Sequence, residues 1–193
     1  MPSSLKQAVA FVAVANLAYF IVEFAVALQI GSVSLFADSI DFLEDASVNF
    51  LILVALPWSP RARARTGMLL AGILLVPALA TAWTAWEKLL APQAPAPLPM
   101  TLTGMGALAV NLSCAFVLAK FRHHAGSLSR AAFLSARNDA LANVAIMVAA
   151  GVAVLSASGW PDLVVGVGIA ILNADAARAV FAAARAERSA AES

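Results

Sequence analysis

The stretch Ser34-Leu35-Phe36-Ala37-Asp38-Ser39-Ile40-Asp41-Phe42-Leu43-Glu44-Asp45-Ala46-Ser47-Val48-Asn49 places four acidic residues within eight positions, from Asp38 to Asp45. It lies inside an apolar run, 33–56, long enough for one membrane-spanning helix. A carboxylate at the centre of such a helix costs about 2.5–3.5 kcal/mol on insertion scales, so each must face a partner, a cavity or an ion. At roughly 100° per residue, Asp38, Asp41, Asp45 and Asn49 share one stripe about a quarter-turn wide, with Glu44 at its edge. Like charges on one dry stripe repel unless protons or a cation neutralise them. A cation site in a membrane helix bundle is therefore favoured over structural ion pairs or protonated acids.

The composition agrees. The chain has 193 residues, 62% hydrophobic and 12% charged. A soluble domain is nearer half apolar and a quarter charged, so this is read as an integral membrane protein. A net charge of +1 argues against nucleic acid as a partner. The single cysteine, Cys114, excludes an internal disulfide and a Cys-rich metal site, and its apolar neighbours predict a buried, inert thiol. The length suits one bundle of about six helices. The expected architecture is an all-α membrane protein, a bundle of six transmembrane helices. Residues 1–185 form the transmembrane domain and 186–193 a short cytoplasmic tail.

The spans are expected at about 8–30, 33–56, 66–90, 100–121, 128–157 and 163–184. The first looks superficially like a signal peptide but is too long and carries Asn16 and Glu23, so it is read as an uncleaved anchor. Asn16 is expected to hydrogen-bond between helices. Gly31-Ser32 is a tight turn. Pro77 predicts a kink, and Trp83 and Trp86 sit where aromatic belts lie. The proline-rich run 91–99 reads as an extended linker. Gly104, Gly106, Gly166 and Gly168 read as close-packing residues, His123 and His124 as solvated, and 158–162 as a turn. In the fifth span Ser135, Asp139 and Asn143 are spaced by four and form one polar stripe. Arg137 and Asp175 share an inner depth and read as an ion pair.

The basic residues Lys6, Arg61, Arg63, Arg65, Lys120, Arg122, Arg130, Arg178, Arg185 and Arg188 fall on one side of this arrangement, and Lys88 lies on the other. The positive-inside rule then puts both termini in the cytoplasm. At about 1.5 Å per residue, Asp41 and Asp45 lie roughly 12–18 Å below the outer end of the second span, and Asp139 roughly 15 Å above the inner end of the fifth. The three carboxylates thus converge near the midplane, where transporter sites lie. Glu23 and Asp38 share a shallower depth and are expected to line an outer vestibule.

At these residues the sequence resembles the cation diffusion facilitator family. The resemblance runs through Asn16, Glu23, Gly31-Ser32-Val33-Ser34-Leu35, Ala37-Asp38-Ser39 and the pair Asp41/Asp45. It resumes at Arg137-Asn138-Asp139-Ala140-Leu141-Ala142-Asn143 and continues through the final span. It implies a six-helix, multi-pass transporter of the cell (inner) membrane that works as a homodimer. Such proteins export divalent transition-metal cations from the cytosol, generally by proton antiport. The transport site it implies consists of two residues four apart on the second helix and two on the fifth, here Asp41, Asp45, Ser135 and Asp139. Family members commonly have His or Asp where Ser135 stands. Asn138 or water is the alternative that completes the set, and Asn143, Asp38 and Glu23 are auxiliary candidates. Most members also carry a soluble metal-binding domain after the sixth helix. This chain runs about nine residues past it and reads as a short form.

No permanently bound cofactor and no catalytic residue is expected; the transported species are a divalent metal and protons. Three oxygen ligands suit manganese, iron, cobalt or magnesium, while the resemblance pulls towards zinc, cobalt or iron. Two other readings compete. An intramembrane aspartyl protease also needs two acids on different helices, but no Gly-x-Gly-Asp surrounds either: Gly166-Val167-Gly168 is followed by Ile169. The other is a non-transporting subunit of a larger membrane complex.

Overall fold

The computed structural model describes residues 3–55, 58–59, 62, 65–66, 79, 81–90, 93–120 and 126–172, with backbone alone for 126–137. The described elements are helices: α1 (Ser3–Ile30), α2 (Val33–Ala55), α3 (81–90), α4 (Pro97–Ala119), α5 (Gly126–Ser156) and α6 (Trp160–Leu172). Among the described residues, three helical segments are long and apolar enough to cross a membrane: Ser4–Ile30, Pro97–Ala119 and Asn138–Ser156. α2 is as long as α4, at 23 residues, but carries the four acids.

The outward faces are apolar. Phe11, Ile21, Leu102, Phe116, Val148 and Leu155 are all exposed, a surface that suits lipid and not water. Inside, α1 packs on α2 and α4 on α5. Contacts of α1 with α4 and of α2 with α5 join the two pairs. One apolar layer gathers Ala27, Leu35, Phe36, Met100, Ile146 and Ala149. A second lies around Val12, Cys114 and Leu118, so the thiol is buried as expected.

The turn between α1 and α2 is built as the sequence suggests. Gly31 adopts φ +63°, a left-handed conformation glycine enters at no steric cost. The Ser32 N–H reaches back to the Ala27 carbonyl at 3.2 Å, the Schellman closure of a helix end. Ser32 then caps α2: its hydroxyl accepts from the Leu35 N–H at 3.2 Å and its carbonyl from the Phe36 N–H at 3.2 Å.

The proline-rich run is shorter as a linker than expected. Only 93–96 of the described part is non-helical, and Pro97 and Pro99 lie in the first turn of α4. The first N–H groups of a helix have no intrahelical acceptor, so a proline there forfeits nothing. The glycines divide. A side chain at Gly104 would press on Met147, and one at Gly106 would run into Tyr19. The Tyr19 hydroxyl donates to the Thr103 carbonyl at 2.5 Å. Gly166 packs backbone to backbone on α2, whereas a Cβ at Gly168 would meet nothing within 4 Å among the described residues. Trp83 and Trp86 are exposed, with the Trp83 indole donating to Glu87 at 3.0 Å. Pro77, Arg61, Arg63, His123, His124, Asp175 and the side chains of Arg137 and Ser135 lie outside the described residues.

Candidate functional site

α2 brings its acids beside α1 and α5. Asp38 is fully buried, and Asp41, Glu44 and Asp45 are half-buried. The charged neighbour that acts most strongly on Asp41 is Asp139 of α5, followed by Asp38, Asp45 and Glu44 on its own helix. The structure thus brings the second-helix and fifth-helix acids to one locality. Among the described residues, however, no three His, Cys, Asp or Glu side chains stand close enough together to hold a metal ion. Asp139 is half-buried and Asn138, one step round the helix, is exposed. Asn49 is buried on the same helix, and its amide donates to the Asp45 carbonyl at 2.7 Å.

One turn towards the start of α2 the acids make a different arrangement. Glu23 of α1 and Asp38 of α2 are both fully buried and meet each other. Among the described residues, no amide, hydroxyl or basic side chain donates to either Glu23 oxygen or to Asp38 Oδ1. Two facing carboxylates in a dry interior repel unless a proton or cation lies between them. The expected outer vestibule is therefore not what this pair lines: in this conformation the two acids are sealed inside the bundle. Asn16 differs from expectation too. It is fully buried, but among the described residues neither its amide oxygen nor its nitrogen has a partner.

The other Asp38 oxygen accepts from the amide of Asn143 on α5, and the Asn143 oxygen accepts from Asn111 of α4 at 3.0 Å. A carboxylate only accepts, so Asn143 must present its NH2 to Asp38 and its oxygen to Asn111. The chain Asn111–Asn143–Asp38 thereby fixes both amides. Sequence reasoning missed Asn111. Its one signal was a lone amide in the apolar run 107–118.

It also missed Asp162, read as part of a turn. Asp162 lies in the first turn of α6, fully buried, and grips the start of α2. Its Oδ1 accepts from Ser32 Oγ at 2.7 Å, Ser34 Oγ at 2.6 Å and Ser34 N at 3.1 Å, and its Oδ2 accepts from Val33 N at 2.8 Å. A negative group there answers both the orphan donors of α2 and the positive end of its dipole.

No curated protein matches the chain. The family model of the cation efflux transmembrane domain matches residues 9–186, running from α1 past the described part of α6. That match removes the protease reading, and the chain belongs to the cation efflux family, whose members are membrane transporters of cations and not enzymes.

Proposed function

We propose that this protein exports divalent transition-metal cations of the zinc, cobalt, iron and manganese class from the cytosol in exchange for protons. It does so across the cell membrane as a homodimer, each protomer spanning the bilayer six times with both termini cytoplasmic. Asp41, Asp45 and Asp139 supply the charge of the transport site, and Ser135 supplies a neutral oxygen. Asn138 is the alternative fourth ligand.

The observation that carries this reading is that Asp139 of α5 lies within electrostatic reach of Asp41 of α2, within a cation efflux domain. The repulsion between these acids is relieved by a divalent cation or by protons, and the two compete. Binding draws Asp139 towards the Asp41–Asp45 pair. Protonation on the far side weakens the carboxylates as ligands and releases the ion. With the fourth position held by a hydroxyl, the donor set is hard and oxygen-rich.

The test is metal uptake by purified protein in proteoliposomes, with a panel of divalent metals and with or without an opposing proton gradient. Metal movement that quickens with the gradient is expected. Movement indifferent to the gradient would remove the antiport. No movement of any metal by the pure protein would favour the reading as a non-transporting subunit.

A further inference from the structure

Ser32 already caps α2 from within its own chain segment, so the helix does not need Asp162 merely to begin. Asp162 comes from another helix, 128 to 130 positions along the chain from the groups it binds. Its two oxygens take separate donors, Oδ1 three and Oδ2 one. A bond to a single point would let α2 swivel; bonds to Ser32, Val33 and Ser34 fix both its rotation and its depth. One turn along α6, Gly166 closes the same contact. A Cβ there would stand 2.6 Å from the Val33 carbonyl carbon and 2.7 Å from the Ser34 nitrogen, so α6 and α2 have no room to slide. Lys88 completes the grip. Its ammonium donates to the Gln93 carbonyl at 2.7 Å, its stem lies over Gly31, and Asp162 is within its electrostatic reach.

What hangs from this clasp is the acid stripe. Ser34 is one turn before Asp38 and about two turns before Asp41, and a continuous helix carries a rotation at one end to the other. We infer that Asp162 is a positioning residue for transport: by gripping the first turn of α2 it sets the rotation and depth at which α2 presents its acids to α5. The inference rests on the reading of Asp41, Asp45 and Asp139 as the transport site. Groups that hold metal ligands in place are typically worth 10–100-fold in metal affinity.

The decisive variant is Asp162→Asn, which keeps the volume but sets an NH2 against the Val33 or Ser34 N–H. In proteoliposomes the KM for metal is expected to rise about tenfold or more, with kcat within about twofold. An unchanged KM, or a fall in kcat alone, overturns the positioning role. Should Asp162→Asn fail to insert, Ser32→Ala and Ser34→Ala each remove one hydroxyl donor and leave the carboxylate. Both are expected to raise KM in the same direction, and an unchanged KM in both overturns the role equally. A second readout needs no transport. In a Cys114→Ser background, Asp38→Cys with Asn143→Cys places two thiols where α2 and α5 side chains now touch. Oxidative cross-linking is expected to slow at least fivefold when Asp162→Asn (or, where that fails to insert, Ser34→Ala) is added. An unaltered rate sinks the clasp even if the protein proves to move no metal. A wild-type protein that moves no metal while its cross-linking does depend on Asp162 sinks the transport reading instead.

Discussion

Asn111 donates its side-chain amide to Asn143 at 3.0 Å, an orientation that the bond from Asn143 to Asp38 imposes on both amides. Asn111→Leu removes the donor and leaves the buried Asn143 oxygen unsatisfied. A loss of about 1–3 kcal/mol is expected, read as a lowered melting temperature in detergent. Asn143→Leu in the same background should add less than it does alone, because the two amides form one network. Full additivity would show that they do not act together.

Asp41→Ala, Asp45→Ala and Asp139→Ala are each expected to abolish metal transport while the protein still inserts, since no neutral group can replace the missing charge. Asp38→Asn should be milder, because Asp38 is one turn away and engaged with Glu23 and Asn143. Uptake assays on equal amounts of reconstituted protein decide the matter. Near-wild-type uptake in any alanine variant removes that residue from the site.

Ser135 is the position where chemistry tunes the cargo. Imidazole is a better zinc ligand than a hydroxyl, so Ser135→His should shift selectivity towards zinc over manganese and introduce a pH dependence near about 6.5. Ser135→Ala should cost far less than loss of an Asp, because water replaces a hydroxyl. Competition between the two metals in uptake is the measurement. A Ser135→Ala variant as inactive as Asp139→Ala would move the fourth ligand elsewhere, to Asn138, Asn143 or solvent.

Glu23 and Asp38 face each other with no amide, hydroxyl or basic donor between them among the described residues. Glu23→Gln supplies one: its NH2 can donate to the open Asp38 oxygen. The expected outcome is a melting temperature equal to or above wild type, against a clear fall for Glu23→Ala, which leaves a cavity. A melting temperature for Glu23→Gln well below wild type would mean that the glutamate is held as an anion.

Ser59 and Gln93 are both exposed and belong to opposite sides in the six-span arrangement. In a Cys114→Ser background, Gln93→Cys should react with an impermeant thiol reagent in intact cells and Ser59→Cys should be protected. The reverse pattern inverts the orientation.

The end of α1, the extent of α2 and the turn between them were legible in the sequence because their signals are local. Apolar length marks a span, and Gly31-Ser32 carries both a left-handed stop and a cap. Depth arithmetic and family resemblance together pointed to Asp41 and Asp139 as neighbours, and Asp139 is the charged group that acts most strongly on Asp41. The start of α4 was misjudged because proline reads as a breaker, while in a first turn it breaks nothing. Asn111 and Asp162 were missed for a different reason. Each is a single polar residue whose partners are on other helices, 32 positions away for Asn111 and 128 or more for Asp162. No spacing rule along one helix can point to such a partner.

The grip of Asp162 on α2 also bears on biosynthesis. The donors of Ser32, Val33 and Ser34 are made early, and the carboxylate that satisfies them leaves the ribosome some 130 residues later. At roughly 5–20 residues per second this is a delay on the order of ten seconds. Throughout that interval the first hairpin must keep the start of α2 in contact with interfacial water, since hydrocarbon offers no acceptor. In the six-span reading the hairpin is therefore expected to enter the bilayer shallow, and the arrival of α6 is the event expected to seat the acids of α2.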